Sequence, residues 1–164
     1  MKHKVIDNFL KKEEFDLIEQ SIISNNFPLY YQKNIVYDKD KDPIDHVNLC
    51  HQIYSNGMPV SEWYTLLLDN FFVNLECKAL LRSKVNCFPG REKLIVHDYH
   101  VDYPYSHKGA ILYLNDCDGF TILANGAKIE SVKNRLLLFD PGEKHASTNC
   151  TDQKCRWNVI VNYL

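Results

Sequence analysis

A chain of 164 residues with 45% hydrophobic and 24% charged residues has the size and composition of one compact domain. Its formal net charge of -2 excludes the strong overall attraction to nucleic acid or to anionic membranes that basic proteins have. No long apolar run follows the N-terminal residues, so we expect no secretory signal and no membrane span. None of the six cysteines belongs to a CxxC pair, so we expect reduced thiols in a cytoplasmic protein.

The first half of the chain is predicted to be mainly helical. Apolar residues recur at helical spacing between Lys11 and Ser24, and they are Phe15, Ile18 and Ile22. Ser61 is placed to cap a second helix that runs to about Leu75. The apolar side of that helix consists of Trp63, Leu67 and Phe71. Residues 27–58 mix aromatic residues with Asp and Pro, which favours one or two strands and a long loop.

The second half has the pattern of a β-protein, because short apolar runs alternate with turn-like breaks such as Asp140-Pro141-Gly142. The predicted strands are Val85 to Phe88, Leu94 to Asp102, Ala110 to Leu114, Phe120 to Leu123, Leu136 to Phe139, and Trp157 to Tyr163. Several short strands at regular spacing are typical of a β-sandwich or barrel. We expect a single domain over residues 1–164, with a helical support over about 1–80 and a β core over about 82–164.

One tripeptide in these predicted strands has the pattern of a metal site. Side chains alternate along a strand, so His100 and Asp102 point to the same face. His145 follows a turn and stands where a new strand begins. Two imidazoles and one carboxylate form the facial triad of non-haem Fe(II) oxygenases. The alternative, a zinc site that joins His145 to Cys150 and Cys155, matches no common zinc spacing.

Arg156 is the predicted binding residue for an anion. It begins the last apolar strand and by alternation shares a face with Asn158 and Ile160. An arginine that points into a barrel must find an anion, because a buried unpaired charge costs too much free energy. A guanidinium can bind a carboxylate through two parallel hydrogen bonds.

Taken together, the series His100-x-Asp102, His145 and Arg156 resembles the 2-oxoglutarate/Fe(II)-dependent oxygenases. The prolyl-4-hydroxylase-like branch, with its small phage and marine-bacterial members, is the most similar, and Tyr113-Leu114-Asn115 matches a Tyr-Leu-Asn of that branch. The resemblance covers about residues 82–164 and implies a double-stranded β-helix, or jelly roll, with N-terminal helices on its larger sheet. It also implies that the triad binds Fe(II), and that Arg156 and Tyr113 bind the distal carboxylate of 2-oxoglutarate.

The activity that the resemblance implies is hydroxylation of a C–H bond with consumption of O2 and release of succinate and CO2, with ascorbate as an additional candidate cofactor. A peptidyl proline is the first candidate substrate, and the long loops between Asp38 and Pro59 could close over a peptide. Phe88 stands where animal prolyl hydroxylases often have a tyrosine, and Asn86 on the same face could supply the missing hydrogen bond to substrate or co-substrate. The alternatives are a hydroxylase of a small molecule or sugar, and a non-catalytic, cupin-like metal-binding protein.

The remaining histidines are interpreted as structural or exposed. His97 faces away from His100 if the strand that contains both is regular, so we do not expect it to bind the metal. His46, His51 and His107 lie in loop-like segments and are expected at the surface.

Overall fold

The computed structural model describes residues 3–32 and 47–164, which form two antiparallel sheets with helices packed on the larger one. The first seven strands are β1 (Lys4–Ile6), β2 (Tyr30–Gln32), β3 (Asn48–Ser55), β4 (Met58–Pro59), β5 (Leu80–Pro89), β6 (Lys108–Tyr113) and β7 (Cys117–Leu123). The others are β8 (Lys128–Ser131), β9 (Leu136–Phe139), β10 (His145–Ser147) and β11 (Cys155–Tyr163). The predicted jelly-roll fold is confirmed.

The larger sheet has the strand order β1-β9-β6-β11-β5-β3-β2 in the described part of the chain, with β4 paired to β3. The smaller sheet has the order β10-β7-β8. Four strands of the larger sheet, β1 to β4, come from the segment for which a helical support was expected. The N-terminal part therefore supplies sheet as well as helix, and β3 pairs directly with β5.

Two helices cover the outer face of the larger sheet. The first, α1 (Lys12–Ile22), buries the predicted face of Phe15, Ile18 and Ile22. The second, α2 (Tyr64–Asn70), is shorter than predicted. Phe71 leaves the helical backbone region at φ -130°, and the chain tightens into a 3-10 helix over Phe72–Asn74. The prediction that Ser61 caps this helix was wrong, because Trp63 is the N-cap residue and no side chain caps the helix. The Ser61 hydroxyl instead accepts a hydrogen bond from the Trp63 N–H at 3.1 Å, just before the helix begins.

The central strands of the larger sheet, β6, β9 and β11, are buried on both faces. The outer face of this sheet packs against the helices through residues such as Ile18, Leu67 and Val159. Its inner face packs against the smaller sheet through a second cluster, and the members are Ile111, Tyr113, Leu123, Ile129, Leu137, Phe139 and Ile160. The polar residues of β5 and β11 that share the inner face therefore lie between the two sheets.

The segment from Leu94 to Asp102 was predicted as a strand and is not a regular one. It pairs with the edge of the smaller sheet at isolated points, which are the bridges Val96–Thr148 and His100–His145. Part of its backbone bonds to a side chain instead, because the Ile95 N–H donates to Oδ1 of Asn149 at 2.7 Å. Among the residues described, no helix is long and apolar enough to cross a membrane.

Candidate metal centre and anion pocket

The three residues of the predicted triad converge at one point. One donor atom from each of His100, Asp102 and His145 lies within 4.8 Å of the other two. Backbone pairing explains the convergence: the N–H of each histidine donates to the carbonyl of the other at 2.9 Å, and the Asp102 N–H donates to the Pro141 carbonyl at 2.9 Å. The irregular segment is thereby fixed against β10, although it is not a full strand.

Hydrogen bonds set the orientation of both imidazoles. Nδ1 of His100 lies 3.3 Å from the Asp98 carbonyl, and Nδ1 of His145 lies 3.0 Å from the Glu143 carbonyl. A carbonyl accepts hydrogen bonds only, so each Nδ1 carries the proton and each Nε2 keeps a free lone pair. Metal-binding histidines are held in this way in many proteins.

The electrostatics keep these ligands in the states that coordinate a metal. Burial, with repulsion from His145, lowers the pKa of His100 to about 4, and burial also lowers the pKa of His145. Burial opposes ionisation of Asp102, but the Arg82 guanidinium, His145, Lys84 and the hydrogen bond from Asn162 together outweigh it and hold the pKa of this carboxyl well below its usual range. At neutral pH the site therefore presents two neutral imidazoles and one carboxylate.

Sequence reasoning missed the residues that hold Asp102. Nη2 of Arg82 lies 2.7 Å from Oδ1, and the amide of Asn162 donates to Oδ2 at 2.8 Å. The same amide donates to Nε2 of His107 at 2.9 Å. Strand alternation was the sequence signal that could have found them, because it places Arg82 on the same face as Asn86, and Asn162 on the same face as Arg156.

Arg156 lies buried beside the triad with no exposed surface. Its Nη1 donates to the Ser147 hydroxyl at 2.7 Å and to the Thr148 carbonyl at 3.1 Å, and its Nη2 donates to the Thr121 hydroxyl at 3.0 Å. Its Nε is buried without a hydrogen-bond partner. No carboxylate of the described residues forms an ion pair with this guanidinium, so its charge is left for a ligand.

Tyr113 and Phe88 enclose this guanidinium. The ring centres of Phe88 and Tyr113 lie 5.6 and 5.5 Å from the Arg156 Cζ. The Tyr113 hydroxyl donates to the Thr121 hydroxyl oxygen at 2.9 Å, which is the same oxygen that accepts from Arg156. Tyr113, Thr121 and Arg156 thus form one connected polar group inside the barrel.

A cavity reaches from the triad to Thr121 of this polar group, and Tyr113 and Arg156 are not among its lining residues. Its lining consists of Asn48, Lys84, Asn86, Phe88, His100, Asp102, Ile111, Thr121, His145, Ala146, Ser147, Asn158 and Ile160. Its volume of about 50 Å³ corresponds to one or two water molecules, so a larger ligand requires side chains to turn aside. Half-buried Lys84 has the most rotatable bonds of these side chains.

The third residue predicted to bind cofactor, Asn86, also lies in this cavity. Its amide nitrogen donates to the Asn158 side chain at 3.0 Å, and its Oδ1 is buried without a hydrogen-bond partner. Asn86 therefore has one unpaired acceptor, which can receive a hydrogen bond from a ligand hydroxyl or N–H but cannot pair with a carboxylate.

Of the other histidines, His97 lies where it was expected, whereas His51 and His107 do not. His97 lies outside the donor cluster and stacks on Phe88, with ring centres 5.4 Å apart. The expectation that His51 and His107 are exposed was wrong, since 7% and 4% of their surfaces are accessible. His51 lies on β3, where its ring contacts the Pro28 carbonyl and the Ser61 hydroxyl at 2.7 Å each. His46 and the 38–46 part of the expected lid lie outside the described residues.

Comparison with known proteins identifies the fold. No family model and no curated protein match the sequence. The chain is similar to a Pseudomonas putida prolyl-4-hydroxylase (15% identity, 98% of this chain and 91% of that one, TM-score 0.62). It is also similar to a Burkholderia pseudomallei oxidoreductase of the 2-oxoglutarate–Fe(II) oxygenase family (11% identity, 98% of this chain and 84% of that one, TM-score 0.70). A third similar structure is a viral collagen prolyl hydroxylase of Paramecium bursaria Chlorella virus-1 in complex with 2-oxoglutarate (15% identity, 99% of this chain and 95% of that one, TM-score 0.61).

A further similar structure is a Trichoplax adhaerens prolyl hydroxylase in complex with a hypoxia-inducible factor peptide (17% identity, 99% of this chain and 83% of that one, TM-score 0.63). These similarities cover nearly the whole chain, including the N-terminal part that the sequence resemblance did not reach. The protein therefore has the fold of the prolyl hydroxylases and other 2-oxoglutarate–Fe(II) oxygenases.

Proposed function

We propose that this protein is an Fe(II)- and 2-oxoglutarate-dependent oxygenase that hydroxylates a C–H bond. The observation that carries the proposal is the buried Arg156 guanidinium, which donates to the cavity-lining Ser147 and Thr121 and has no carboxylate partner among the described residues. A protein that only binds metal, as in the cupin-like alternative, has no use for such a group. A dicarboxylate with one end on the metal and the other on Arg156 satisfies both sites at once.

The donor set fits iron. His100, Asp102 and His145 would hold the metal through two imidazoles and one carboxylate, which is the ligand set of non-haem Fe(II) oxygenases. When bound, Fe(II) with 2-oxoglutarate and O2 supplies the oxidation that converts a substrate C–H to C–OH and releases succinate and CO2.

The residues of this chain bind the co-substrate, orient a metal ligand and shield the reaction from water. Arg156 pairs with the distal carboxylate, and the hydroxyls of Tyr113 and Thr121 beside it complete the polar end of the site. Arg82 and Asn162 hold the Asp102 carboxylate in place. The apolar residues between the sheets, such as Ile111 and Ile160, exclude water from the reaction.

The candidate substrate is a peptidyl side chain, with proline first. The support is the shared fold with proteins described as prolyl hydroxylases, one of them in complex with a peptide. One observation favours the second candidate, a polar small molecule or sugar. The cavity is lined by the amides of Asn48, Asn86 and Asn158 and by Lys84, which suit a ligand rich in hydroxyl or carboxylate groups better than a proline ring.

The co-substrate assignment is tested by measuring 2-oxoglutarate binding and succinate formation with Fe(II) present. Hydrogen bonds to charged groups contribute roughly 1.5–3 kcal/mol, so Arg156→Ala should weaken 2-oxoglutarate binding by about 10- to 100-fold. Arg156→Lys should recover part of the affinity, because the charge persists and the planar fork is lost. Equal affinity in Arg156→Ala and wild type would place the carboxylate elsewhere and overturn the proposal.

The substrate class is tested separately, by incubating the protein with Fe(II), 2-oxoglutarate and ascorbate and measuring a mass gain of one oxygen. Proline-containing peptides, free amino acids, sugars and nucleotides form the panel. A mass gain on peptides alone supports the proposal of a peptidyl proline as substrate. A gain on small molecules alone moves the protein to the second class and leaves the iron chemistry intact.

A further inference from the structure

Four of the six cysteines gather at the end of the barrel where β5 ends and where β7 and β11 begin, although they are far apart in sequence. We propose that three residues of this region, Cys117, Cys150 and Asp152, form a second metal site that takes Zn²⁺ or another thiophilic divalent ion. One donor atom from each lies within 4.8 Å of the other two. The proposal does not depend on the oxygenase function.

The fold brings these donors together through two segments that interlock. Cys117 opens β7, and Cys150 and Asp152 belong to the loop between β10 and β11. Gly119 allows the close approach, because a Cβ at this position would lie 2.3 Å from the Asn149 carbonyl oxygen and 2.6 Å from Cδ of Arg156.

Asp118 then fastens the two segments to each other. Its carboxylate accepts hydrogen bonds from the N–H and the hydroxyl of Thr151, and the N–H distance is 2.7 Å. Its own N–H donates to Oδ1 of Asp152 at 3.1 Å. One oxygen of Asp152 is thereby fixed by the Asp118 N–H, so the carboxylate is held in place within the donor cluster. The donors are thus held by the surrounding hydrogen bonds rather than by the metal alone.

The chemistry of the donors selects the ion. Two thiolates and one carboxylate provide three of the four positions of tetrahedral Zn²⁺, and thiolates exclude Mg²⁺, Ca²⁺ and Mn²⁺ in favour of softer ions. Water or a neighbouring thiol supplies the fourth position, and Cys87, which interacts electrostatically with Cys150, is one such thiol. The full negative charge of three such ligands is offset by the ion and by Arg156, which lies within electrostatic range of Cys117 and Cys150.

An ion in this place would clamp the start of β7 to the loop before β11. Those two strands carry Thr121, which lines the main cavity, and Arg156, which donates to the Thr121 hydroxyl. The site is therefore structural in character, and its occupancy would stiffen the polar end of the barrel without contact with the His100–Asp102–His145 site.

Cobalt distinguishes the two sites, because Co²⁺ bound to thiolate has an intense near-ultraviolet charge-transfer absorption that Co²⁺ bound to His and Asp lacks. Titration of the full-length reduced protein should show this absorption together with a second equivalent of bound Co²⁺. Cys117→Ser should lose both, and Asp152→Asn should keep the absorption and bind Co²⁺ more weakly. Cys77→Ser, a matched control away from the cluster, should behave as wild type.

Three results would overturn the site: no thiolate absorption in the wild type, an absorption that persists in Cys117→Ser, or an effect of Cys77→Ser equal to that of Cys117→Ser. Thiol labelling gives an independent measurement that does not depend on a variant folding. Zn²⁺ should protect Cys117, the partly exposed thiol of the site, from a thiol reagent in the wild-type protein, and it should do so equally in Asp102→Ala, in which the first site is disabled. Unchanged thiol reactivity with Zn²⁺ counts against the proposal.

Discussion

The Asp102 carboxylate shows how a single residue depends on partners from a distant strand. Its metal-facing position is fixed by Arg82 on β5 and by Asn162 on β11, which lie opposite each other in the larger sheet. A carboxylate that has both oxygens engaged loses little freedom when a metal binds. The orientation of the ligand, more than its charge alone, is what the larger sheet provides to the site.

Arg82→Gln should therefore weaken binding of Mn²⁺, a redox-stable probe for the iron site, by about 10- to 100-fold in calorimetry. Lys84→Met is the matched control, because Lys84 is two residues away, shares the face and interacts electrostatically with Asp102 without an ion pair. Removing this cation should leave Mn²⁺ affinity unchanged or raise it. If Arg82→Gln also raises the affinity, Arg82 acts only as a repulsive charge and does not position the ligand.

The sequence predicted the residues that the structure brings together at the candidate site and missed those that support them. His100, Asp102, His145 and Arg156 were predictable because two strand alternations and one family pattern select the same positions. Arg82 and Asn162 occur in apolar strands where a polar residue is equally compatible with an exposed edge. Only the register of β5 against β11 makes them neighbours of Asp102, and register depends on contacts between distant segments.

At the scale of elements, Asn134 joins the N-terminal segment to the strand β9. Its backbone is in the left-handed region at φ 58°. Its side chain accepts a hydrogen bond from the Leu10 N–H at 3.0 Å and donates to the Leu10 carbonyl at 2.9 Å. Both contacts are buried, so they connect the entry of α1 to the larger sheet.

Asn134→Ala should lower the free energy of unfolding by about 2–4 kcal/mol. One part of this loss comes from leaving the N–H and carbonyl of Leu10 without partners, and the other comes from the strain of alanine in the left-handed region. Asn134→Gly should cost about 1 kcal/mol less, because glycine adopts this φ freely. Asn56, exposed and at φ 53°, is the control: Asn56→Ala should show only the strain, about 1 kcal/mol. Urea unfolding measures all three, and equal losses at the two positions would show that the Leu10 bonds contribute nothing.

Asp140 makes a second connection, between the turn before β10 and the segment that follows Asp102. Its carboxylate accepts hydrogen bonds from the Ser106 hydroxyl at 2.6 Å, the Gly142 N–H at 2.8 Å and the His107 N–H at 3.2 Å. Burial opposes its ionisation, but these donors outweigh burial and lower its pKa below the ordinary value of 3.8. The two segments that carry metal ligands are thus tied together by one carboxylate.

A depressed folded-state pKa stabilises the protein above the unfolded pKa, and the stabilisation is lost as pH falls through the folded pKa. Asp140→Asn should therefore lower the free energy of unfolding at pH 7 by about 1–3 kcal/mol. The difference from wild type should shrink as the pH is lowered from about 5 toward 3. Urea unfolding over a pH series measures it, and a difference that stays constant with pH would contradict the role of the ionised carboxylate.

Elements with strong local patterns were predicted well. The strand β9 has the predicted bounds, and α1 buries the predicted face. The strands β1 and β8 are three and four residues long, too short for a periodicity to be recognised. The segment 94–102 has the apolar pattern of a strand, yet it pairs only at isolated points, because edge pairing is decided by the neighbouring β10 and not by its own sequence.

At the scale of the whole molecule, the site is assembled across the two sheets. His145, Ser147 and Thr121 come from the smaller sheet, whereas Arg82, Asn162 and Arg156 come from the larger one. Local sequence patterns describe each sheet separately. How the sheets face each other depends on the packing of Ile111, Leu137 and their partners, which no local pattern contains.

Ligands that bridge the two sheets should stabilise the folded state against heat. At a concentration about 100 times its Kd, a ligand that binds only the folded protein adds about 2.7 kcal/mol. For a protein of this size that corresponds to a rise in Tm of about 5–11 °C. Mn²⁺ alone should raise Tm, and 2-oxoglutarate should add a further increase only with Mn²⁺ present, since one end of it binds the metal.

Two variants separate the contributions in the same thermal measurement. Asp102→Ala should lose both increases, because the metal position loses its charged ligand. Arg156→Ala should keep the increase with Mn²⁺ and lose most of the increment from 2-oxoglutarate, since the distal carboxylate has no cation to pair with. A 2-oxoglutarate increment of equal size without metal, or one retained in Arg156→Ala, would mean that the dicarboxylate binds outside the space between His145 and Arg156.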